Sequence, residues 1–173
     1  AVQGCRIHAL RGRTEDAERW LEAATRGRFR GTLPDGSRTI APWVATVRAW
    51  LGRKGAKQML ADADMAVHGL AETSSWRAGA LAARGAALLL LGERDRADPL
   101  LEEAAVRAGE VGVTETRVVA LGQRALIADE RGEHDRADAL CAELHELLAS
   151  SAVESYVAQS VDCAATARTM LRH

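Results

Sequence analysis

Leu91-Gly92-Glu93-Arg94-Asp95-Arg96-Ala97-Asp98 returns forty residues later as Arg131-Gly132-Glu133-His134-Asp135-Arg136-Ala137-Asp138, with the glycine and the Asp-Arg-Ala-Asp tetrapeptide at the same offset. Extending the frame toward the N-terminus finds Gly52 in Leu51-Gly52-Arg53 and Gly12 in Arg11-Gly12-Arg13. The chain is a tandem repeat, and the repeat unit decides the fold. Upstream of Gly92 runs Trp76-Arg-Ala-Gly-Ala-Leu-Ala-Ala-Arg-Gly-Ala-Ala-Leu-Leu-Leu-Leu91, rich in Ala and Leu and free of Pro, which favours helix. Downstream, Ala97, Leu100, Leu101, Ala104 and Ala105 recur at spacings of three and four, the stripe of an amphipathic helix. A glycine between two such helices closes the last carbonyls of the first in a left-handed conformation and lets the chain turn back. Glu15, Asp16, Asp95 and Asp135 then fall in the first turn of the following helix, at its positive end.

The same reading places helices at 1–11 and 14–26, 37–51 and 55–69, 75–91 and 95–108, and 114–131 and 134–149. A ninth helix is expected at 153–171, with Val153, Val157, Val161, Ala164 and Leu171 along one side. The expectation is an all-α chain of about four antiparallel helix pairs and a terminal helix, one repeat domain over 1–173. The next frame position is Arg172, and Ala1 enters a helix part-way, so the sequence is read as a fragment of a longer chain.

Small residues fall where the helices of a pair must approach: Gly85, Gly92, Ala97 and Ala104 in the third unit, Ala125, Gly132 and Ala137 in the fourth. With Leu81, Leu88 and Leu101 they resemble the consensus slots of tetratricopeptide (TPR) repeats, which implies a superhelical solenoid; a HEAT-like array is the alternative. In the second unit Lys57 and Asp64 fall on apolar slots, and a one-residue shift toward Ala56, Leu60, Ala63 and Val67 restores the pattern. Over residues 35–150, phrases such as Leu90-Leu-Gly-Glu-Arg-Asp-Arg-Ala-Asp-Pro-Leu-Leu and Ala128-Asp-Glu-Arg-Gly-Glu-His-Asp-Arg-Ala resemble the helical-repeat region of MalT-like, LuxR-type ATP-dependent transcriptional regulators of bacteria. That resemblance implies flanking ATPase and helix-turn-helix modules, and DNA contact only through a module not present in this chain. No Gly-x-x-x-x-Gly-Lys-Ser/Thr phosphate loop occurs.

Of the 23 basic residues only Lys54 and Lys57 are lysine, an arginine bias that accompanies GC-rich coding and agrees with a cytoplasmic bacterial origin. Charged residues interrupt every apolar run before membrane-spanning length and no signal segment opens the sequence, so no membrane partner is expected. Cys5, Cys141 and Cys163 lack a Cys-x-x-Cys spacing and read as reduced, buried small hydrophobes. Residues 1–60 hold 12 basic and 5 acidic residues, whereas 61–173 hold 11 and 19, so the array is electrically polar from end to end. Arg26, Arg28 and Arg30 form the sharpest basic cluster, read either as a solvated loop or as a contact for an acidic neighbour or phosphates.

Four Trp stand against one Tyr and one Phe. Trp43 and Trp50, seven apart, project from one side of a helix, either as core packing with Val44, Val47 and Leu51 or as a stacking platform for a ring in a groove. Trp20 and Trp76 are expected to pack between units. By analogy with TPR grooves, the ligand-facing candidates are Arg6, Thr46, Trp50, Ala86, Leu89, Leu126, Asp129 and Glu130. No catalytic, cofactor or metal set is expected: His8, His68, His134, His145 and His173 have no metal-ligand spacing and no nucleophile beside them. Two functions follow as expectations. One is a sensor and interaction module that binds a small-molecule inducer or a regulatory protein, with homo-oligomerisation open. The other is a plain scaffold that grips a protein segment.

Overall fold

The glycines that mark the repeat all adopt the left-handed backbone that an L side chain resists, with φ of 70° at Gly12, 58° at Gly52, 81° at Gly92 and 74° at Gly132. At Gly92 the glycine N–H donates to the Leu89 carbonyl and the Glu93 N–H to the Leu88 carbonyl, both at 2.9 Å, which occupies the helix's last acceptors as the chain reverses. The same pair of bonds closes the helices before Gly12 and Gly132, while Gly52 uses a single bond to Arg48 O at 3.1 Å. Gly112, with φ of 70°, repeats the two-bond closure at the end of a second helix, a turn that the forty-residue frame does not mark.

A computed structural model describes residues 1–27, 32–151 and 156–171. Among them the chain forms nine α-helices and no strand: α1 (Val2–Leu10), α2 (Thr14–Arg26), α3 (Ala41–Leu51), α4 (Ala56–Gly69), α5 (Trp76–Leu90), α6 (Arg94–Glu110), α7 (Thr114–Glu130), α8 (His134–Ser150) and α9 (Tyr156–Met170). The expected helices are all present. The largest boundary difference is at α3, which starts at Ala41 rather than 37. Residues 33–37 form a turn instead, with Gly36 N–H donating to Leu33 O at 2.9 Å and Leu33 N–H to Ser37 O at 3.0 Å. Pro42 then occupies the first turn of α3, where a missing N–H costs nothing.

Helices pack within each pair, and the second helix of each pair packs on the first helix of the next. Each first helix also meets the next first helix, α1 with α3, α3 with α5, α5 with α7 and α7 with α9, so these form a continuous row. The core is built from alanines that let backbones approach, with Ala17, Ala97, Ala104 and Ala137 fully buried, and from Leu81, Leu88, Leu101, Val118, Ile127 and Leu144. In α4 Ala63, Ala66 and Val67 are buried and Lys57 is exposed, so the shifted register of the second unit holds.

Three expectations need correction. The side of α9 that packs on α7 carries Ala158, Val161 and Ala165, with Val161 against Gly122, whereas Ala164 and Leu171 are exposed; Val153 and the side chain of Val157 lie outside the described residues. The stripe read from the valines is thus rotated, because a four-residue spacing alone does not choose between adjacent helix faces. Cys163 is exposed on α9, while Cys5 and Cys141 are buried, and none of the three is disulfide-bonded. Burial pushes the Cys5 thiol up to about 11 against a small opposing pull from the amino terminus. Trp20, 44% exposed, rests on α1 at Gly4 within its own pair rather than between pairs.

Among the described residues no helix is long and apolar enough to cross a membrane.

Candidate functional site

The seven-residue spacing of Trp43 and Trp50 puts two indoles on the face of α3 that meets α5, and both stack on Trp76. The ring centroids lie 4.8 Å from Trp43 and 5.7 Å from Trp50, with interplanar angles of 25° and 16°. Trp43 Nε1 donates to Asp35 Oδ2 at 2.8 Å, and Trp50 Nε1 donates to the Gly79 carbonyl of α5 at 3.0 Å. Residue 79 has to be glycine, because a Cβ there would overlap the six-membered ring of Trp50. Trp43 and Trp76 are buried, but Trp50 keeps one edge open. It is both a packing residue and a wall.

That wall belongs to a cavity of about 360 Å³, in the range of small-molecule sites. Arg6 and Ala9 of α1 line it, together with Gly12 of the first turn, Thr14 at the start of α2, Trp50 and Leu51 of α3, and Met59 of α4. Gly79, Ala82, Ala83 and Ala86 of α5 form its floor, and Glu115, Thr116, Val119 and Gln123 of α7 close it. The α5 and α7 sets recur at spacings of three and four, one stripe of each helix. Because the floor residues are glycine and alanine, the backbone of α5 lies close to whatever fills the space. Arg6 Nη2 faces Glu115 Oε2 at 4.0 Å, and its guanidinium lies 5.8 Å from the Trp76 ring centroid. Gln123 Oε1 is buried without a hydrogen-bond partner.

Arg6, Trp50 and Ala86 are the sequence candidates that the cavity brings together. Thr46 is not among its lining residues: it is fully buried on the α3 face that packs against α5, and its Oγ1 donates to Pro42 O at 2.9 Å. Leu89 and Leu126 pack against the core one turn beyond Ala86 and Gln123. Asp129 and Glu130 lie further along α7, where Asp129 accepts from Arg168 Nε at 3.0 Å and Glu130 pairs with Arg94. The cavity stops short of these helix ends, which is why the four residues do not reach it. Arg26 is exposed and paired with Glu22 at 2.9 Å; Arg28 and Arg30 lie outside the described residues.

Glu115, Thr116, Val119 and Gln123 were not legible as site residues. Glu115 in the first turn of a helix reads as a partner of the helix dipole, and nothing local to it announces Arg6. The α5 stripe carried a signal, four small residues at helical spacing, which fits helix packing equally well.

Two polar clusters hold the framework around the cavity. Asp35 accepts hydrogen bonds from Ser37 N at 3.0 Å, Ser37 Oγ at 2.9 Å, Trp43 Nε1 and Ser74 Oγ, tying the loop before α3 to the start of α5. Burial opposes its charge, but these donors outweigh it and hold the carboxyl below the usual carboxylate range. Asp98 of α6 receives Arg124 Nε at 3.1 Å, Arg131 Nη1 at 3.2 Å and Arg136 Nη2 at 2.7 Å, all from the following helix pair. Its carboxyl is also held low, burial being outweighed by the bonds from Arg136 and Arg124. Among the described residues no group of three or more His, Cys, Asp or Glu side chains is placed to hold a metal ion.

Comparisons of the chain with protein families, with curated proteins and with solved structures found no match.

Proposed function

We propose that the helix pairs form a TPR-like superhelical array whose groove, the cavity between α1, α3, α5 and α7, binds a compact ligand. We further propose that the chain is the sensor region of a bacterial transcriptional regulator similar to the MalT-like, LuxR-type proteins, with the ATPase and DNA-binding modules outside this sequence. The observation that carries the reading is the cavity itself: its walls come from four successive first helices, with lining residues from Arg6 to Gln123. A molecule held there touches all four helix pairs. It therefore favours whichever spacing of the pairs it fits best, and unequal affinity for two arrangements is what a sensor requires.

The repeated phrasing over residues 35–150 supports the regulatory setting. Arg6 and Glu115, facing each other from α1 and α7, favour an inducer over a long protein segment, which would need an unobstructed channel. In this reading the chain works in the cytoplasm by binding, without a chemical step of its own.

A thermal-shift screen of the chain against oligosaccharides, nucleotides and other metabolites, repeated with Ala86→Phe to plug the cavity, tests the proposal. A ligand that raises the melting temperature of the parent chain and loses that effect in the plugged variant is the expected result. A shift indifferent to the plug would place the ligand elsewhere. No small-molecule response, alongside capture of an extended peptide, would favour the scaffold.

A further inference from the structure

The cavity has few polar groups, and their placement restricts what can fill it. At one end Arg6 and Glu115 face each other at 4.0 Å, with 28% and 32% of their side chains exposed. That separation is too long for a hydrogen bond, so guanidinium donors and carboxylate acceptors remain available to a third party. At the other end stands Gln123, eight residues along α7 from Glu115 and thus about 12 Å further on. Its Oε1 is a buried acceptor with no donor. Between the two ends the walls are Met59, Ala82, Ala83, Ala86 and Val119, with the edge of Trp50 beside them.

We propose that the cavity takes an aromatic α-amino acid: an ammonium and a carboxylate on one carbon, a flat apolar body, and a hydrogen-bond donor on the ring. The inference rests on the groove-binding reading and specifies its ligand. The ammonium meets Glu115 and the carboxylate meets Arg6, so two short charge-assisted bonds replace one loose pair. The ring lies on the alanine floor beside Trp50, and a turn of the Gln123 amide about its last side-chain bond brings the buried Oε1 to the ring's donor. A carboxylate alone or an amine alone would leave one of the two opposed charges without a partner. Because Arg6 belongs to α1 and Glu115 to α7, the head group also bridges the first and fourth helix pairs, which makes their spacing depend on occupancy.

Isothermal titration calorimetry on the whole chain tests this with L-tryptophan, L-tyrosine, L-phenylalanine, L-tryptophan methyl ester, N-acetyl-L-tryptophan and indole. L-tryptophan or L-tyrosine should bind saturably, and removing either charge of L-tryptophan should weaken binding at least about tenfold. Arg6→Gln and Glu115→Gln, both expected to melt close to the parent chain, should do the same. Gln123→Leu should weaken L-tryptophan while sparing L-phenylalanine. Ester or indole binding as tightly as the free amino acid would overturn the head-group assignment and leave the groove reading standing. The inference also falls alone if no zwitterion binds while the Ala86→Phe screen finds another ligand. Silence in both experiments would overturn the inference and the reading together.

Discussion

The joint between the second and third helix pairs and the joint between the third and fourth solve one problem with a different balance of aromatic and ionic contacts. At the first, three indoles stack across α3 and α5, Asp35 gathers the loop ends around them, and one ion pair, Arg84 with Asp64 at 2.7 Å, joins α5 to α4. At the second, three arginines of the fourth pair converge on Asp98, flanked by Asp95 with Arg131, Glu102 with Arg124 and Glu133 with Arg136. The repeated Asp-Arg-Ala-Asp belongs to the ionic joint, because the last aspartate of one copy, Asp98, accepts from the arginine of the next, Arg136, at 2.7 Å. The repeat thus conveys more than helix spacing, since one copy supplies a partner for the other. The aromatic joint borders the cavity through Trp50, whereas none of the ionic joint's residues lines it. Ligand response should therefore depend on the first joint and acid sensitivity on both.

Trp76→Ala should break the comparison most severely. Removing the indole between Trp43 and Trp50 empties the middle of the stack and costs about 3–5 kcal/mol, read as a fall in the thermal or urea midpoint. A near-native melt would show that the stack does not hold the joint.

Asp98→Asn comes next, at about 2–3 kcal/mol near neutral pH, because three cations lose a shared anion. The sign of its pH dependence follows from the lowered carboxyl. The folded chain keeps Asp98 ionised to lower pH than the unfolded chain, whose aspartates titrate at about 3.9. The stability contributed by Asp98 is fully present above that value and is lost as pH falls through its folded pKa. The gap between the parent chain and Asp98→Asn should hold from pH 7 to about 4 and close below it. A gap constant down to pH 2 would remove the ionic account.

Asp35→Asn should cost less, about 1 kcal/mol, since the amide keeps one acceptor for Ser74 and Trp43. Its effect should appear in the near-ultraviolet dichroism of the tryptophans as well as in the melt. Arg6→Gln should be the mildest, under about 1 kcal/mol, because a part-exposed ion pair contributes little to folding. A large loss of stability there would make Arg6 a structural residue rather than a ligand contact.

The turns and most of the core could be read from the chain because each rests on a local rule. Gly12, Gly52, Gly92 and Gly132 share an offset and a left-handed backbone, and Ala97, Leu101 and Ala104 follow helical spacing into the core. Legibility failed where the deciding partner is remote. Thr46 looks available in sequence, yet its hydroxyl is satisfied by the Pro42 carbonyl one turn back and its face is covered by α5. Glu115 looks like an ordinary first-turn acid, yet it faces Arg6 from three helices further along the row of first helices. On α9 the larger residues point to a face of which only Val161 meets α7, while Ala158 and Ala165 complete the side that fits there.

The central claim is that α1 stands opposite α7 across a cavity whose filling sets the spacing of the helix pairs. Pulsed electron resonance between spin labels at the exposed positions Gln3 of α1 and Glu130 of α7, with Cys163→Ser to remove the exposed thiol, measures that spacing directly. A single narrow distance distribution matching the structure, which shifts or narrows further when the screened ligand is added, is the predicted result. A broad distribution, or one centred too far out for Arg6 to face Glu115, would contradict the account.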